Sequence, residues 1–329
     1  MTTQHSKMED DGQHSTLGNL DKLVDEFDLV LRQHGILITP GSELEAACLS
    51  ITDLSASHRN PLLRNPCRDT RQLYINAFGI WIFLEKIVRL HNKPGFVQFL
   101  PHLHLLNKGT VVQNKPLQAC EDATNKIFEL LFALVLLDIG DDVVLAHPSK
   151  GDNPDILATL MGRRWGFECK TVYGKSGKAF FDNLKKGVGQ IENSKNAEVG
   201  CVVINFRNLI QHEEIWPVKQ CPDGILQFGS IKKEGRDLIG LDLNKQVTAK
   251  KDSLAKEIGV QEVLAIFSKG KAIPGFLAYC QSAAGLTNSA GIVIPSSILM
   301  LILAPFRDLQ RYEPVFSEMN EALHERRKS

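Results

Sequence analysis

The sequence predicts an α/β domain that follows an all-helical N-terminal domain, and three observations carry that prediction. Before Pro116 the apolar residues recur at helical spacing. After Pro116 the pattern becomes a helix, three strands, a helix and a strand, an order typical of a central sheet flanked by helices. The chain has 329 residues, 43% of them hydrophobic, which suffices for two domains or for one large core with a smaller appendage.

Three helices account for the N-terminal domain, which is predicted to cover residues 17–115. The first helix carries one apolar stripe: Leu20, Leu23, Val24, Phe27 and Leu31. Ser42 and Glu45 have the spacing of a capping box and therefore open the second helix. The third helix is long and is predicted over residues 69–91.

The second domain is predicted to cover residues 116–310. Its elements are expected in this order: a helix over 122–137, strands over 142–146, 155–161 and 165–172, a helix around 181–191 and a strand over 199–204. Gly162-Arg163 is interpreted as a two-residue turn that joins the second and third strands into a hairpin. Residues 207–289 contain only one predicted helix, over 253–269, and are interpreted as an insertion.

The two ends of the chain and one apolar segment complete the assignment. Residues 1–16 are polar and are predicted to be a disordered tail, and residues 311–329 are predicted to be a C-terminal helix and tail. Residues 295–297, Pro-Ser-Ser, are expected to separate a strand over 291–294 from the apolar residues 298–306. That apolar segment is too short to cross a bilayer, so no membrane partner is predicted.

Charge and cysteine content exclude several classes of function. Lys plus Arg equals Asp plus Glu at 38 each, so any nucleic acid must be bound by a local patch and not by an overall positive field. The seven cysteines are scattered and form no C-x-x-C pair, which argues against a disulfide framework and against a zinc ribbon. These features predict a protein of the reducing cytoplasm.

One group of residues predicts catalytic chemistry: Pro154-Asp155, then twelve residues, then Glu168-Cys169-Lys170. Glu168 begins the only acid-x-Lys triplet of the chain. With the predicted hairpin turn, Asp155 would lie opposite Lys170 and diagonal to Glu168, on the same strand face. Two carboxylates in diagonal positions on one strand face can hold one Mg²⁺ ion between them. The alternative is a surface Asp and a Glu–Lys pair on a solvated strand.

Glu129 is the only charge in the apolar helix between Ile127 and Leu137. Burying a lone carboxylate is costly unless a cation pairs with it. The helix therefore predicts that Glu129 points towards a metal or a lysine at the end of the sheet.

At these residues, over about 120–206, the sequence resembles the PD-(D/E)xK nucleases, the restriction-endonuclease-like superfamily. The resemblance implies a mixed central sheet flanked by helices and Mg²⁺-dependent hydrolysis of DNA, with Mn²⁺ as a substitute. By position, Asp155 and Glu168 match the metal-binding acids, Glu129 matches the helix acid, and Lys170 matches the lysine beside the attacking water. The Cys169 carbonyl would be a further metal ligand.

Some members of that superfamily carry Gln-x-x-x-Tyr in the following helix, and Gln190 matches the Gln while Ser194 stands in the place of the Tyr. Residues 161–190 contain seven basic and two acidic residues, a net charge of +5. A local basic zone is what a phosphate backbone binds. The predicted nucleic-acid contacts are Arg163, Arg164, Lys175, Lys178, Lys185, Lys186 and Gln190, with a solvated helix face as the alternative for any single lysine.

Two weaker signals in the sequence point to other chemistry. Gly174-Lys175-Ser176 resembles the end of a phosphate-binding loop but lacks the required Gly at position 169. His102 and His104 are interpreted as structural histidines because no second Cys or His pair has suitable spacing.

The sequence therefore predicts a metal-dependent DNA endonuclease of restriction or host-defence type. A homodimer and a defence-system partner protein are the expected protein partners. The alternative is a non-cleaving nucleic-acid-binding or assembly subunit with the same fold.

Overall fold

The computed structural model describes residues 20–60, 70–117, 121–149, 154–212, 219–220, 226–227, 230–231, 233–287 and 293–324. These residues form an α/β structure in which helices cover a mixed, open sheet, so the predicted fold class is confirmed at that level. The predicted tail over residues 1–16 lies outside the described residues.

The helices are α1 (Leu20–Gln33), α2 (Glu43–Arg59), α3 (Thr70–Leu90), α4 (Leu100–Leu103), α5 (Asp122–Ile139), α6 (Gly177–Asn193), α7 (Lys233–Ile258), α8 (Val260–Ala265) and α9 (Glu313–His324). The strands are β1 (Asp141–Leu145), β2 (Ile156–Leu160), β3 (Arg163–Thr171), β4 (Val199–Asn205), β5 (Lys219–Gln220), β6 (Leu226–Gln227), β7 (Ser230–Ile231), β8 (Ala272–Thr287) and β9 (Val293–Pro305). Ser42 caps α2 as its spacing predicts, since its hydroxyl accepts a hydrogen bond from the Glu45 amide at 3.1 Å.

The main sheet has the strand order β1-β2-β3-β4-β8, with β9 along the other edge of β8 and β5 beside its end. β1, β2 and β3 are antiparallel to one another, β3, β4 and β8 are parallel, and β9 is antiparallel to β8. The parallel strands β3, β4 and β8 therefore end at the same edge of the sheet.

The interpretation of residues 207–289 as an insertion is wrong for β8, which pairs with β4 in the body of the sheet. Its sequence contains Pro274 and several Gly and Ala residues, and almost every position is buried, so neither strand propensity nor alternation marks it. β9 continues through Pro295, where an interruption was predicted, because an edge strand tolerates a missing amide donor. The helix predicted over 253–269 overlaps the end of α7 and all of α8.

The β2–β3 hairpin turns one residue earlier than predicted. Leu160 pairs with Arg163, so Met161 and Gly162 are the central residues, and both have positive φ, 47° and 72°. A type I′ turn needs left-handed residues at both central positions and accepts Gly readily at the second one. The predicted turn, with Gly162 first and Arg163 second, differs from this pairing by two residues.

Two apolar cores lie on opposite faces of the sheet. The first contains side chains of α1, α2, α3, α5 and α9 together with one face of the strands, and the second contains α6, α7 and α8 with the other face. Phe132 of α5 packs edge-to-face on Phe167 of β3 in the first core. The N-terminal helices thus share a core with the sheet, and a domain boundary at residue 115 stays a prediction.

A buried ionic network joins three of the helices in the first core. Asp138, in the last turn of α5, accepts hydrogen bonds from Lys86 at 2.6 Å and from Arg89 at 2.6 Å, both on α3. Lys86 also donates to the carbonyl of Ala322 on α9. Lys93 donates to the Leu137 carbonyl at 3.0 Å, so it satisfies an otherwise unpaired group at the C-terminus of α5.

Within the described residues, none of the helices combines the length and the apolar composition that crossing a membrane requires. Four cysteines fall in these residues, and all four are buried free thiols: Cys48, Cys169, Cys201 and Cys280.

Candidate functional site

Asp155 lies just before β2, next to a proline, Pro154, that packs on β3. A Cβ on Gly166 of β3 would lie 2.8 Å from Cγ of Pro154, so the proline ring occupies the space that a side chain would need. Because Ile156 pairs with Phe167, Asp155 aligns with Glu168 and not with Lys170 as predicted. The shift equals two residues, which preserves the strand face, so the predicted convergence survives the wrong register.

Asp155 and the 168–170 triplet are joined by direct hydrogen bonds. The Cys169 amide donates to Oδ2 of Asp155 at 2.9 Å, and the Asp155 amide donates to Oε2 of Glu168 at 3.2 Å. The Lys170 ammonium donates to Oε1 of Glu168. The structure therefore brings Asp155, Glu168 and Lys170 together. Cys169 contacts Asp155 through its amide, and the role of the Cys169 carbonyl as a metal ligand stays a prediction.

Glu168 is an ionisable group in an environment that disfavours its charged form. Its side chain is completely buried and lies close to Gly187 of α6, and its backbone pairs with Val202 of β4. Burial, and after it the negative charge of Asp155, raise the pKa of Glu168 to about 8, although Lys170 opposes them. One lysine does not offset the cost of two neighbouring acids in this environment.

Glu129 reaches the same place from α5, as its sequence context predicts. The Lys126 ammonium lies 2.8 Å from each Glu129 carboxylate oxygen and 3.8 Å from Oδ1 of Asp155. Burial and the charge of Asp155 raise the pKa of Glu129 to about 8, against the opposing charges of Lys126 and Lys170. Asp155 is thus the acid that raises the pKa of both glutamates.

Sequence reasoning missed Lys126. Burial works to lower its pKa, but the carboxylates of Glu129 and Asp155 outweigh burial and the pKa is raised. The signal that could have found Lys126 is its position one helical turn before Glu129, since residues three apart lie on one helix face.

His102, which the sequence predicts to be a structural histidine, also lies at the site. It is on α4, completely buried, and its Nε2 is 3.8 Å from Oε2 of Glu129. Neither ring nitrogen has a hydrogen-bond partner. Burial, followed by the charges of Lys126 and His147, lowers the pKa of His102 to about 3, so the imidazole is neutral at neutral pH.

The donor set of this cluster fits a hard divalent cation. Three carboxylates face two lysines, and two of the acids have raised pKa values, so the cluster lacks positive charge. In the part of the chain that the structure describes, no three His, Cys, Asp or Glu side chains form a ready metal cage. Mg²⁺ is commonly held by one or two carboxylates, with water and substrate phosphate as its other ligands, and Asp155 and Glu168 provide two neighbouring carboxylates.

The predicted nucleic-acid contacts fall in two separate places. Arg163 and Arg164 begin β3, roughly 20 Å from Lys170 at about 3.3 Å per residue, so they do not surround the acid cluster. Arg164 donates to the Asp142 carbonyl at 2.6 Å, next to the hairpin turn. The four predicted lysines lie exposed on α6 and in the loop before it, which follows the end of β3: Lys175, Lys178, Lys185 and Lys186.

The N-terminus of α6 and the Gln-x-x-x-Tyr position have local structural partners. The Glu257 carboxylate accepts hydrogen bonds from the amides of Gly177 and Lys178, at 2.9 and 3.1 Å, so an acid of α7 fills the anion-binding end of α6. Gln190 is half-buried on α6, and Ser194 follows the last turn of the helix, where its hydroxyl accepts from the amides of Asn196 and Ala197.

Fold and site together define an α/β protein with a buried acid–lysine cluster beside β3. Comparisons with protein-family models, with curated proteins and with solved structures find no match for the chain.

Proposed function

We propose that this protein is a metal-dependent endonuclease that hydrolyses DNA phosphodiester bonds, a member of the PD-(D/E)xK nucleases in restriction or host defence. The observation that supports the proposal best is the meeting of Asp155, Glu168 and Lys170 with the helix acid Glu129 in one buried cluster. The alternative, a surface Asp and a solvated Glu–Lys pair, would not raise the pKa of two glutamates to about 8.

Each residue has a part that its contacts support. Asp155 and Glu168 would hold Mg²⁺, which neutralises charge on the phosphate and lowers the pKa of water when it is bound. Lys170, fixed by Glu168, would orient the water that adds to phosphorus. The P–O bond to the leaving nucleotide then breaks, giving a phosphate monoester and a hydroxyl group. Positioning is the role that the hydrogen bond from Lys170 to Glu168 supports.

The exposed lysines of α6 would bind the phosphate backbone outside the cluster. Lys185 and Lys186 are exposed on the helix whose buried face packs on β3 and β4. Electrostatic binding of this kind is independent of DNA sequence and weakens as salt rises. Cutting both strands of a duplex with one such cluster per chain would need two copies, so a homodimer belongs to the proposal.

A non-cleaving nucleic-acid-binding subunit is the second candidate, and one observation favours it. Lysines already pair with both glutamates, and the described residues contain no ready cage of three metal-binding side chains. In that case the cluster would be a structural ion-pair network.

The test incubates the purified full chain with supercoiled plasmid and with linear DNA, in Mg²⁺, in Mn²⁺ and in EDTA. We expect cleavage with either metal and none in EDTA. Asp155→Asn should abolish cleavage at unchanged melting temperature, and the matched control Asp141→Asn, an exposed acid at the start of β1, should cut like the wild type. DNA binding without cleavage in every metal would favour the second candidate.

A further inference from the structure

Lys126 lies closer to solvent than any other charged group of the cluster. Its side chain is 22% exposed, against 14% for Lys170, 11% for Asp155 and 5% for Glu129. Its ammonium group lies within 3.8 Å of Asp155 as well as against Glu129. Lys126 is therefore the cation that a phosphate entering the cluster would meet.

Glu129, the present partner of Lys126, has a second partner beside it. The buried imidazole of His102 lies 3.8 Å from Oε2 of Glu129, too far for a hydrogen bond, and neither of its nitrogens has a partner. A neutral imidazole carries one N–H donor, and buried donors in folded proteins are nearly always paired. His102 is therefore placed to donate a hydrogen bond to Glu129 in any arrangement that brings the two side chains closer.

On the basis of the proposed function, we propose that Lys126 leaves Glu129 to bind the scissile phosphate, and that His102 then donates a hydrogen bond to Glu129. Lys126 is in this account a catalytic residue, because its ammonium group contacts the phosphate and stabilises the charge that builds up there during the reaction. His102 is a positioning residue, which keeps Glu129 hydrogen-bonded after the lysine has moved.

The competing account is that Lys126 is only a fixed counter-ion of Glu129. The two accounts differ in a double-mutant cycle. If Lys126 serves only to neutralise Glu129, removing the carboxylate removes the need for the lysine, and the double variant recovers. If Lys126 binds phosphate, removing Glu129 restores nothing.

The first experiment measures kcat and KM on a fluorescein-labelled DNA duplex in Mg²⁺ for the wild type, Lys126→Met, Glu129→Gln and the double variant. Lys22→Met, an exposed lysine on α1, is the matched control. We expect Lys126→Met to lose about a hundredfold in kcat, and the double variant to be no faster. A double variant as fast as Glu129→Gln would overturn the role of Lys126 and leave the nuclease itself intact. Absence of cleavage by the wild type would instead overturn the proposed function.

The second experiment tests His102. His102→Leu keeps a similar apolar volume and should lower kcat at unchanged or higher melting temperature, while His102→Gln, which can still donate, should retain more activity. In long-range ¹H–¹⁵N spectra of histidine-labelled protein, a ring nitrogen of His102 should move to a hydrogen-bonded shift when Mg²⁺ and a phosphorothioate duplex are added. Wild-type kcat in His102→Leu, or an unmoved nitrogen, would overturn the role of His102.

Discussion

Glu168→Gln is expected to change how the stability of the protein depends on pH. The pKa of Glu168 rises from 4.5 to about 8 in the folded protein, first because it is buried and then because Asp155 is near. Between those two values the folded chain holds a proton that the unfolded chain has lost. The stability that this proton contributes is fully present below pH 4.5, and the free energy of unfolding falls as pH rises towards about 8.

The size of the effect follows from one bound proton. Each pH unit within the window costs about 1.4 kcal/mol, so the wild type should lose about 2 to 3 kcal/mol between about pH 5.5 and about pH 7.5 through Glu168. Glutamine has nearly the same volume and no proton to lose. The curve of Glu168→Gln should therefore be flatter by that amount, and its remaining slope reflects Glu129, whose pKa is raised for the same reasons.

Urea unfolding in EDTA, at several pH values, measures this difference through the midpoint at constant m value. Glu198→Gln, the same substitution at an exposed carboxylate next to β4, is the matched control and should follow the wild type. Added Mg²⁺ should stabilise the wild type more at the higher pH, where the carboxylates are ionised, and should have little effect on Glu168→Gln. Parallel curves for the wild type and Glu168→Gln would refute the account of a buried, proton-holding Glu168.

Three further variants test the fold and the basic helix. Asp138→Asn should lower the free energy of unfolding by about 3 kcal/mol, because Lys86 stays buried without its counter-charge; an unchanged urea midpoint would contradict this. Met161→Asn should raise the free energy of unfolding by about 1 kcal/mol, and with it the melting temperature, because Asn adopts positive φ more readily than Met. An equal or lower melting temperature would argue against a strained turn. Lys185→Ala combined with Lys186→Ala should weaken DNA binding and reduce the slope of log affinity against log salt by about one to two, and an unchanged slope would remove α6 from the interface.

The class of fold and the core of the candidate site were accessible from the sequence because they depend on local patterns. Helical spacing located α1, α3 and α5 to within a few residues, and the single acid-x-Lys triplet marked the end of β3. The strand period of two placed Asp155, Glu168 and Lys170 on one face even though the hairpin register was wrong by two residues. The lone charge of Glu129 in an apolar helix also indicated a buried partner.

Tertiary packing alone decided the rest. β8 is a strand because β4 and β9 pair with it on both sides, and its own Pro, Gly and Ala residues carry no strand signal. The spacing of Lys126 and Glu129 is local, but α5 brings Lys126 to Asp155, and α4 brings His102 to Glu129, across a long separation in sequence that no short pattern records. The raised pKa values of the two glutamates likewise come from burial and from Asp155, and both exist only after the sheet and its helices have packed together.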